Sequence, residues 1–261
     1  MSDKRRRLAD LTRHSDQTPQ TYWGYEQFAA AEASPDSRWW VRSLADEPLE
    51  RYRHSQGPWS PEQVRRFFSA LDTRARDDAM FVVQQYVEPA LSGASLSCAD
   101  FRISEGVAGP AAALLRDGGC GDMIASVKDR VIWRLQRGAL DAHLSQGLAL
   151  AHASIPSGQD ALWEWIVSAS GAVYHVDRKL LPSSFLPNPP NDGPPECWRL
   201  GDETNGGDVV ALVSTSIEHL HNLGRGTLLM IGSGSPMAHL CFEAVCRGNA
   251  VVLATAVEAA H

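Results

Sequence analysis

Residues 232–239 read Gly-Ser-Gly-Ser-Pro-Met-Ala-His. A glycine-rich turn, a serine–proline pair and an imidazole at this spacing suit the handling of an anion. Serine is a favoured N-cap and proline a favoured first helical residue, so the stretch predicts a helix opening at Ser235, with His239 near the end of its first turn. A helix start leaves backbone N–H groups unpaired and carries partial positive charge, and glycines let that backbone approach an anion closely. The same positive end favours the neutral, nucleophilic imidazole. His239 is therefore a candidate carrier of a phosphoryl group, with Gly232, Gly234 and Ser235 as candidate anion contacts. The pattern also suits a histidine that only packs in a helix covering a sheet, because a Gly/Ser turn before a helix has low specificity.

The elements that must position this histidine follow from the pattern of the C-terminal part. DVVALVS reads as a strand, TSIEHLHNL as a helix, TLLMIG as a strand, SPMAHLCFEAVCR as a helix and AVVLA as a strand. This β-α-β-α-β order is the signature of a parallel sheet with covering helices. Before it lies LLPSSFLPNPPNDGPPECW (180–198), rich in proline and without periodicity, which reads as a linker. Earlier still, 161–177 reads as a hairpin around Ser168-Ala169-Ser170-Gly171. MFVVQQYVE (80–88), SRWWVRS (37–43) and VIWRLQ (131–136) read as strands, and GASLSCADFRIS (93–104) as one or two more. Ser60-Pro61 opens a helix expected to run to about Arg76, with Val64, Phe67, Phe68 and Leu71 on one face. TYWGYEQFAAAEA (21–33) reads as a helix, and 1–20, charged and polar, as a disordered tail.

Composition narrows the classes of function. The 261-residue chain is 44% hydrophobic, enough for real cores, and its net charge of −7 argues against a general nucleic-acid binder. No apolar stretch is long enough to span a membrane, and the N-terminus has no signal-peptide core. Cysteines 98, 120, 197, 241 and 246 form no C-x-x-C pair, so neither a disulfide framework nor a zinc site is expected, and a reducing, cytoplasmic setting is. Lysine occurs only at 4, 128 and 179.

With those elements in place, the segment 208–254 resembles the phosphohistidine swivelling domain of the phosphoenolpyruvate synthase and pyruvate phosphate dikinase family. Gly207-Asp208-Val209-Val210 opens the unit, His239 falls on the phosphorylated histidine, and Gly248 falls on the glycine of the family's G-I-P. Ala238 replaces the serine before the histidine, and Asn249-Ala250 replaces Ile-Pro. Residues 40–182 resemble the ATP-grasp, nucleotide-binding part of the same family. Val41-Arg42-Ser43 looks like its V-R-S-S strand, whose arginine contacts phosphate. Val82-Val83-Gln84-Gln85-Tyr86-Val87 looks like the hinge strand against which adenine lies. Glu105-Gly106 sits where the family has a glycine-rich turn, Glu164-Trp165 matches its E-W, and YHVDRKLLP (174–182) matches Y-I-L-Q-A-R-P, with Asp177 for glutamine and Lys179 on the arginine.

The resemblance implies an α/β chain: a disordered basic tail (1–20), an incomplete α+β ATP-grasp-like lobe (21–182), a proline-rich linker (183–205) and a swivelling-like domain (206–261). It implies ATP and Mg²⁺ as cofactors, with Arg42, Gln84, Glu105, Gly106 and Lys179, together with Gly232, Gly234 and Ser235, on the nucleotide or its phosphates. Glu164 and Asp177, on the two arms of the hairpin, would supply oxygen ligands to Mg²⁺. ATP would phosphorylate His239 for transfer to a separate acceptor. The stretch before Val41 holds no Gly-Gly-Lys-like segment, so a partner protein supplying a missing lobe is a further expectation. Without a phosphoenolpyruvate-binding barrel, interconversion of pyruvate and phosphoenolpyruvate is not expected of this chain alone. Two alternatives stay open: a catalytically inactive descendant serving as a ligand-binding or interaction module, and an α/β protein binding an anionic small molecule at the 232–239 turn.

Overall fold

The structure, a computed structural model, describes residues 3–44, 56–71, 81–111, 115, 119–156, 158–182, 185, 193–201, 208–213, 215–216 and 223–254. It is a mixed α/β chain with two compact units, Met1–Glu88 together with Tyr174–Asp177, and Pro89–Val173 together with Arg178–His261.

The first unit opens with helix α1 (Asp3–His14) where a disordered tail was expected. Leu8 and Leu11, three apart on one helix face, are 2% and 0% exposed and supply the packing that the charged composition concealed. The expected helix at 21–33 is split. Thr21–Trp23 forms β1, Gly24 turns the chain at φ +87°, and α2 covers only Tyr25–Ala30. Strands β2 (Trp39–Ser43), β3 (Gln56–Trp59) and β4 (Phe81–Gln85) join β1 in a sheet of order β1-β4-β2-β3. Helix α3 (Pro61–Ala70) starts as expected. Ser60 Oγ accepts from Gln63 N, and Gln63 Oε1 accepts in return from Ser60 N, a reciprocal cap. The helix ends at Ala70, short of the expected Arg76: Leu71 is extended (φ −76°, ψ 146°) and its N–H turns back to the Phe68 carbonyl, and residues 72–76 lie outside those described. Phe28, Trp39, Val64, Phe68 and Val83 form the core of this unit. Each such side chain, once fully buried, contributes roughly 1.5–3 kcal/mol.

A six-stranded sheet is made by β5 (Pro89–Cys98), β6 (Phe101–Ala108), β7 (Asp122–Val127), β8 (Arg130–Leu135), β9 (Ala161–Ser168) and β10 (Val173–Leu180), and all of it except Tyr174–Asp177 of β10 belongs to the second unit. The strand order is β10-β9-β5-β6-β7-β8, with antiparallel ladders from β9 through β8. The hairpin of β9 and β10 turns at the expected residues. Strand β7 and helix α4 (Ala142–Ser154) were not foreseen. The helix is capped by Asp141, whose carboxylate accepts from Leu144 N at 2.9 Å. His152 fastens α4 to the sheet, with Nδ1 2.8 Å from Ser104 Oγ and Nε2 2.9 Å from Ser126 Oγ.

The C-terminal part contributes a sheet of order β11-β14-β13-β12, from β11 (Cys197–Leu200), β12 (Val209–Leu212), β13 (Leu228–Ile231) and β14 (Ala250–Ala254). The β12-β13-β14 ladders are parallel, as the pattern predicted, and β11 adds an antiparallel edge from within the expected linker. The helix expected between β12 and β13 falls mostly on residues outside those described. Helix α5 (His239–Cys246) follows β13. Leu229, Ile231, Leu240 and Val251 share one apolar cluster with Ala94, Leu96, Ile103 and Met123 of the six-stranded sheet, so the histidine-bearing segment is packed into the second unit. Among the described residues, no helix is long and apolar enough to cross a membrane.

Candidate active site

Cross-strand register places two of the sequence-selected carboxylates on one sheet face. Ala94 of β5 pairs with Glu105 of β6 on one side and with Glu164 of β9 on the other. Directly paired residues point to the same face, so Glu164, Ala94, Glu105 and then Met123 form a row. Ala94 and Met123 belong to the apolar cluster that also holds Met237, Ala238 and Leu240. The face carrying both carboxylates is therefore the one on which the histidine-bearing turn packs.

The turn itself differs from the expected helix mouth. Ser235 Oγ accepts from Met237 N at 3.1 Å, and Ala238 N donates to Ser235 O, which closes a turn in place of a helical start. Ala238 is extended (φ −60°, ψ 147°), so α5 begins at His239. Ser235, expected to contact phosphate, is fully buried, as are its neighbours from Gly234 to Ala238. Gly234 has φ +141°, and a Cβ there would lie 2.5 Å from Thr215 Oγ1, so its glycine serves close packing. Gly232 is exposed. Gly106 lies inside the straight strand β6, not in a turn. Its missing Cβ makes room for Trp165, whose Cη2 would stand 3.1 Å from it.

What the fold does bring together is Glu164, Lys179 and His239. Glu164 Oε1 is 2.6 Å from Lys179 Nζ and 3.2 Å from His239 Nε2. The Lys179 and Glu164 side chains are 9% and 16% exposed, and that of His239 is 25% exposed. Burial alone would raise the Glu164 pKa, but the Lys179 ammonium and the hydrogen bond from His239 outweigh it and hold the carboxyl well below its ordinary range. An ionised carboxylate only accepts, so His239 Nε2 carries the proton of this hydrogen bond, and in the neutral ring the lone pair is then on Nδ1. Among the described residues Nδ1 has no hydrogen-bond partner. Lys179 also lies 5.6 Å from the centre of the Phe242 ring.

Glu105 is completely buried. Its Oε1 accepts from Gly121 N at 2.7 Å and from Arg137 Nη1 at 3.1 Å, while Oε2 has no partner. Burial raises its pKa, against the opposing effects of Ser235, Gly121 and Arg137. Arg137 was not singled out from the sequence, because only the β6–β7 register brings it to Glu105.

In the first unit Arg42 and Gln84 meet as neighbours across the β2–β4 ladder. Arg42 Nη1 donates to Gln84 Oε1 at 2.9 Å and to the Val176 carbonyl at 3.1 Å. The guanidinium, half buried, has only neutral partners among the described residues. Asp177, the second expected metal ligand, is buried on β10 and clusters with this unit. The described residues hold no group of three or more His, Cys, Asp or Glu placed for a metal, and Glu164 is already engaged by Lys179 and His239. They do not fit a resident Mg²⁺, which requires several oxygen ligands.

No protein-family model matches the chain, and no curated protein matches it in sequence. Solved structures similar to it include N5-carboxyaminoimidazole synthase from Aspergillus clavatus, in complex with ADP and 5-aminoimidazole ribonucleotide, at 10% identity, TM-score 0.36 and 66% coverage of this chain. An N5-carboxyaminoimidazole ribonucleotide synthetase, solved as its ADP complex, follows at 12% identity, TM-score 0.38 and 67% coverage. The L-amino acid ligase from Bacillus licheniformis is similar at 14% identity, TM-score 0.32 and 67% coverage. This chain spans 42%, 43% and 39% of the length of those three chains. With every score below 0.5, the fold described above rests on the chain's own strand order and register.

Proposed function

We propose that the chain is an ATP-dependent, phosphotransferase-like protein in which Nδ1 of His239 accepts the γ-phosphoryl group of ATP. The observation that carries this reading is the contact between Glu164 Oε1 and His239 Nε2. It turns Nε2–H to the carboxylate, which in the neutral ring leaves the Nδ1 lone pair for the phosphorus, on a ring whose side chain keeps 25% of its surface exposed. In the step, the bond from Pγ to the β,γ-bridging oxygen breaks and the Nδ1–P bond forms. ADP leaves with the bridging oxygen, and the Nε2 proton stays in the hydrogen bond to Glu164. Lys179 supplies a cation on the same carboxylate. The phosphoryl group then passes to a separate acceptor. The nucleotide itself comes from the resemblance of 40–182 to the ATP-grasp part, and a partner supplying a further lobe belongs to the same reading.

The test is transfer from γ-labelled ATP in the presence of a divalent cation. Acid-labile, base-stable label is expected on the wild-type chain, none on His239→Asn, and at least about tenfold less on Glu164→Gln. Equal label on wild type and His239→Asn refutes the proposal.

A second reading, a module that keeps this architecture without turnover, is favoured by the buried turn at 234–238 and by the neutralised Glu164. Nucleotide binding with no label on any histidine would select it.

A further inference from the structure

We propose a second ligand site, for a small zwitterion of the α-amino acid type, in the pocket between β8 and the first half of α4. The pocket has a volume of about 630 Å³, within the range of small-molecule sites, and is lined by Asp122, Arg134, Gln136, Leu140, Ser145 and Gln146, among others. It lies on the sheet face opposite to Glu105 and Glu164. Gly106 pairs with Asp122, and Ser104 pairs with Ile124, which in turn pairs with Arg134. Residues two apart on a strand share a face, so Asp122 and Arg134 lie on the side where Ser104 meets His152 of α4, and Gln136, just past the end of β8, lines the same pocket.

The two charged groups of the pocket are built differently. Asp122 is 4% exposed, and its Oδ1 accepts from Arg137 N at 2.7 Å and from Ala139 N at 3.3 Å, which sets the carboxylate in place. Oδ2 has no hydrogen-bond partner among the described residues and is not sealed from solvent. A carboxylate oxygen desolvated to this degree and left without a donor is costly unless a donor arrives. Arg134 is exposed and forms no ion pair with any described residue, Asp122 included. A simple anion entering the pocket would meet Asp122, and a simple cation would meet Arg134. A molecule with an ammonium at one end and a carboxylate at the other satisfies both, with the Gln136 and Gln146 amides as further partners and Leu140 as an apolar wall.

The site is tested on the full chain with the free amino acids as probes, by calorimetric titration and thermal shift. Asp122→Asn keeps an oxygen for the two backbone N–H groups and replaces only the open oxygen, and Arg134→Gln alters an exposed side chain, so both variants should melt as the wild type does. At least one amino acid is expected to bind with a Kd of about 1 mM or tighter, and each substitution should weaken it about tenfold or more. Its amide and its N-acetyl derivative, each lacking one pole, should lose a similar factor. The proposal is overturned if no amino acid binds, if either variant binds like the wild type, or if a one-pole derivative binds as tightly as the parent. Should Asp122→Asn fail to fold, Arg134→Gln and the derivatives decide the outcome on their own.

Discussion

Glu105 and Glu164 are held two strands apart on one sheet face by their common partner Ala94, a separation of roughly 9–10 Å at the usual strand spacing. Their surroundings push them in opposite directions. Glu164 faces an ammonium and an imidazole N–H and stays ionised, whereas Glu105, sealed from solvent, is driven toward the protonated form despite Arg137. Two carboxyls separated in proton affinity on one face is the arrangement by which a single site offers an acceptor and a donor. The histidine-bearing turn packs over both.

The Glu164–Lys179 pair is mostly buried, so removing one partner strands the other's charge in low dielectric. Lys179→Met is expected to cost about 3 kcal/mol, the low end for a buried pair because Glu164 keeps 16% of its side chain exposed. The double variant Glu164→Gln/Lys179→Met should cost much less than the sum of the two single changes, since it leaves no orphaned charge. Urea unfolding of the four chains checks this. Additive losses would mean that the two groups do not stabilise each other.

The row of carboxylates depends on the close approach of β5 to its neighbours, and Gly93 permits it. A Cβ at Gly93 would stand 2.0 Å from the Glu105 carbonyl oxygen and 2.6 Å from Trp165 Cζ2, neither of which can yield without opening the ladder. Gly93→Ala is expected to destabilise the chain by about 3 kcal/mol or to prevent folding. Gly109→Ala, at φ +71° with nothing within 4 Å, should cost only about 1 kcal/mol. Thermal unfolding of the two variants side by side measures the difference.

His152 gives the fold an acid limit. Burial and then the Arg102 and Arg134 charges lower its pKa to about 3, with Asp129 opposing them. An unfolded histidine titrates near 6.5. Above that pH both states are neutral and the group contributes no pH dependence. As pH falls from about 6.5 to about 3, the unfolded chain binds a proton that the folded chain refuses, and stability drops by on the order of 4 kcal/mol. His152→Gln, which retains a donor and an acceptor for Ser104 and Ser126, should be less stable than wild type at pH 7. That deficit should shrink or reverse by pH 4. A deficit that does not change with pH would assign the acid sensitivity elsewhere, His175 being the other buried histidine with a lowered pKa.

The parts of this fold that were legible in the sequence are those whose signal is local. The β9–β10 hairpin shows its alternation and its Ser-Ala-Ser-Gly turn, the β12, β13 and β14 strands are short apolar runs, and Ser60-Pro61-Glu62-Gln63 spells its cap. Helix α4 was missed because AHLSQGLALAHAS has no clear polar face. A glycine sits near its middle because Leu91 would stand 3.2 Å from a Cβ at Gly147. Its one readable mark was Asp141, three residues before the N–H it caps. His239 and Glu164 were singled out separately, but their contact joins residues 75 apart and follows from packing alone. The same holds for Arg137 on Glu105 and for the open oxygen of Asp122. Ser235 misled for the converse reason. Serine before proline reads as a helix cap, yet its hydroxyl turns to Met237 N and closes a buried turn.

Arg42 provides the remaining prediction. Its Nη1 is held by the Gln84 side-chain carbonyl and the Val176 backbone carbonyl, so the charge is positioned but not neutralised among the described residues. A guanidinium kept half buried with neutral partners retains its capacity for a bidentate phosphate contact. Arg42→Met preserves much of the apolar stem, and its loss of two hydrogen bonds should cost only about 1–2 kcal/mol of stability. If the cation serves a nucleotide phosphate, affinity for ATP should fall by about tenfold or more while affinity for adenosine changes little. The comparison is made by equilibrium titration of both ligands against both chains. Parallel losses for ATP and adenosine would mean that Arg42 only holds β2 and β4 together, and equal affinities would remove it from the nucleotide site altogether.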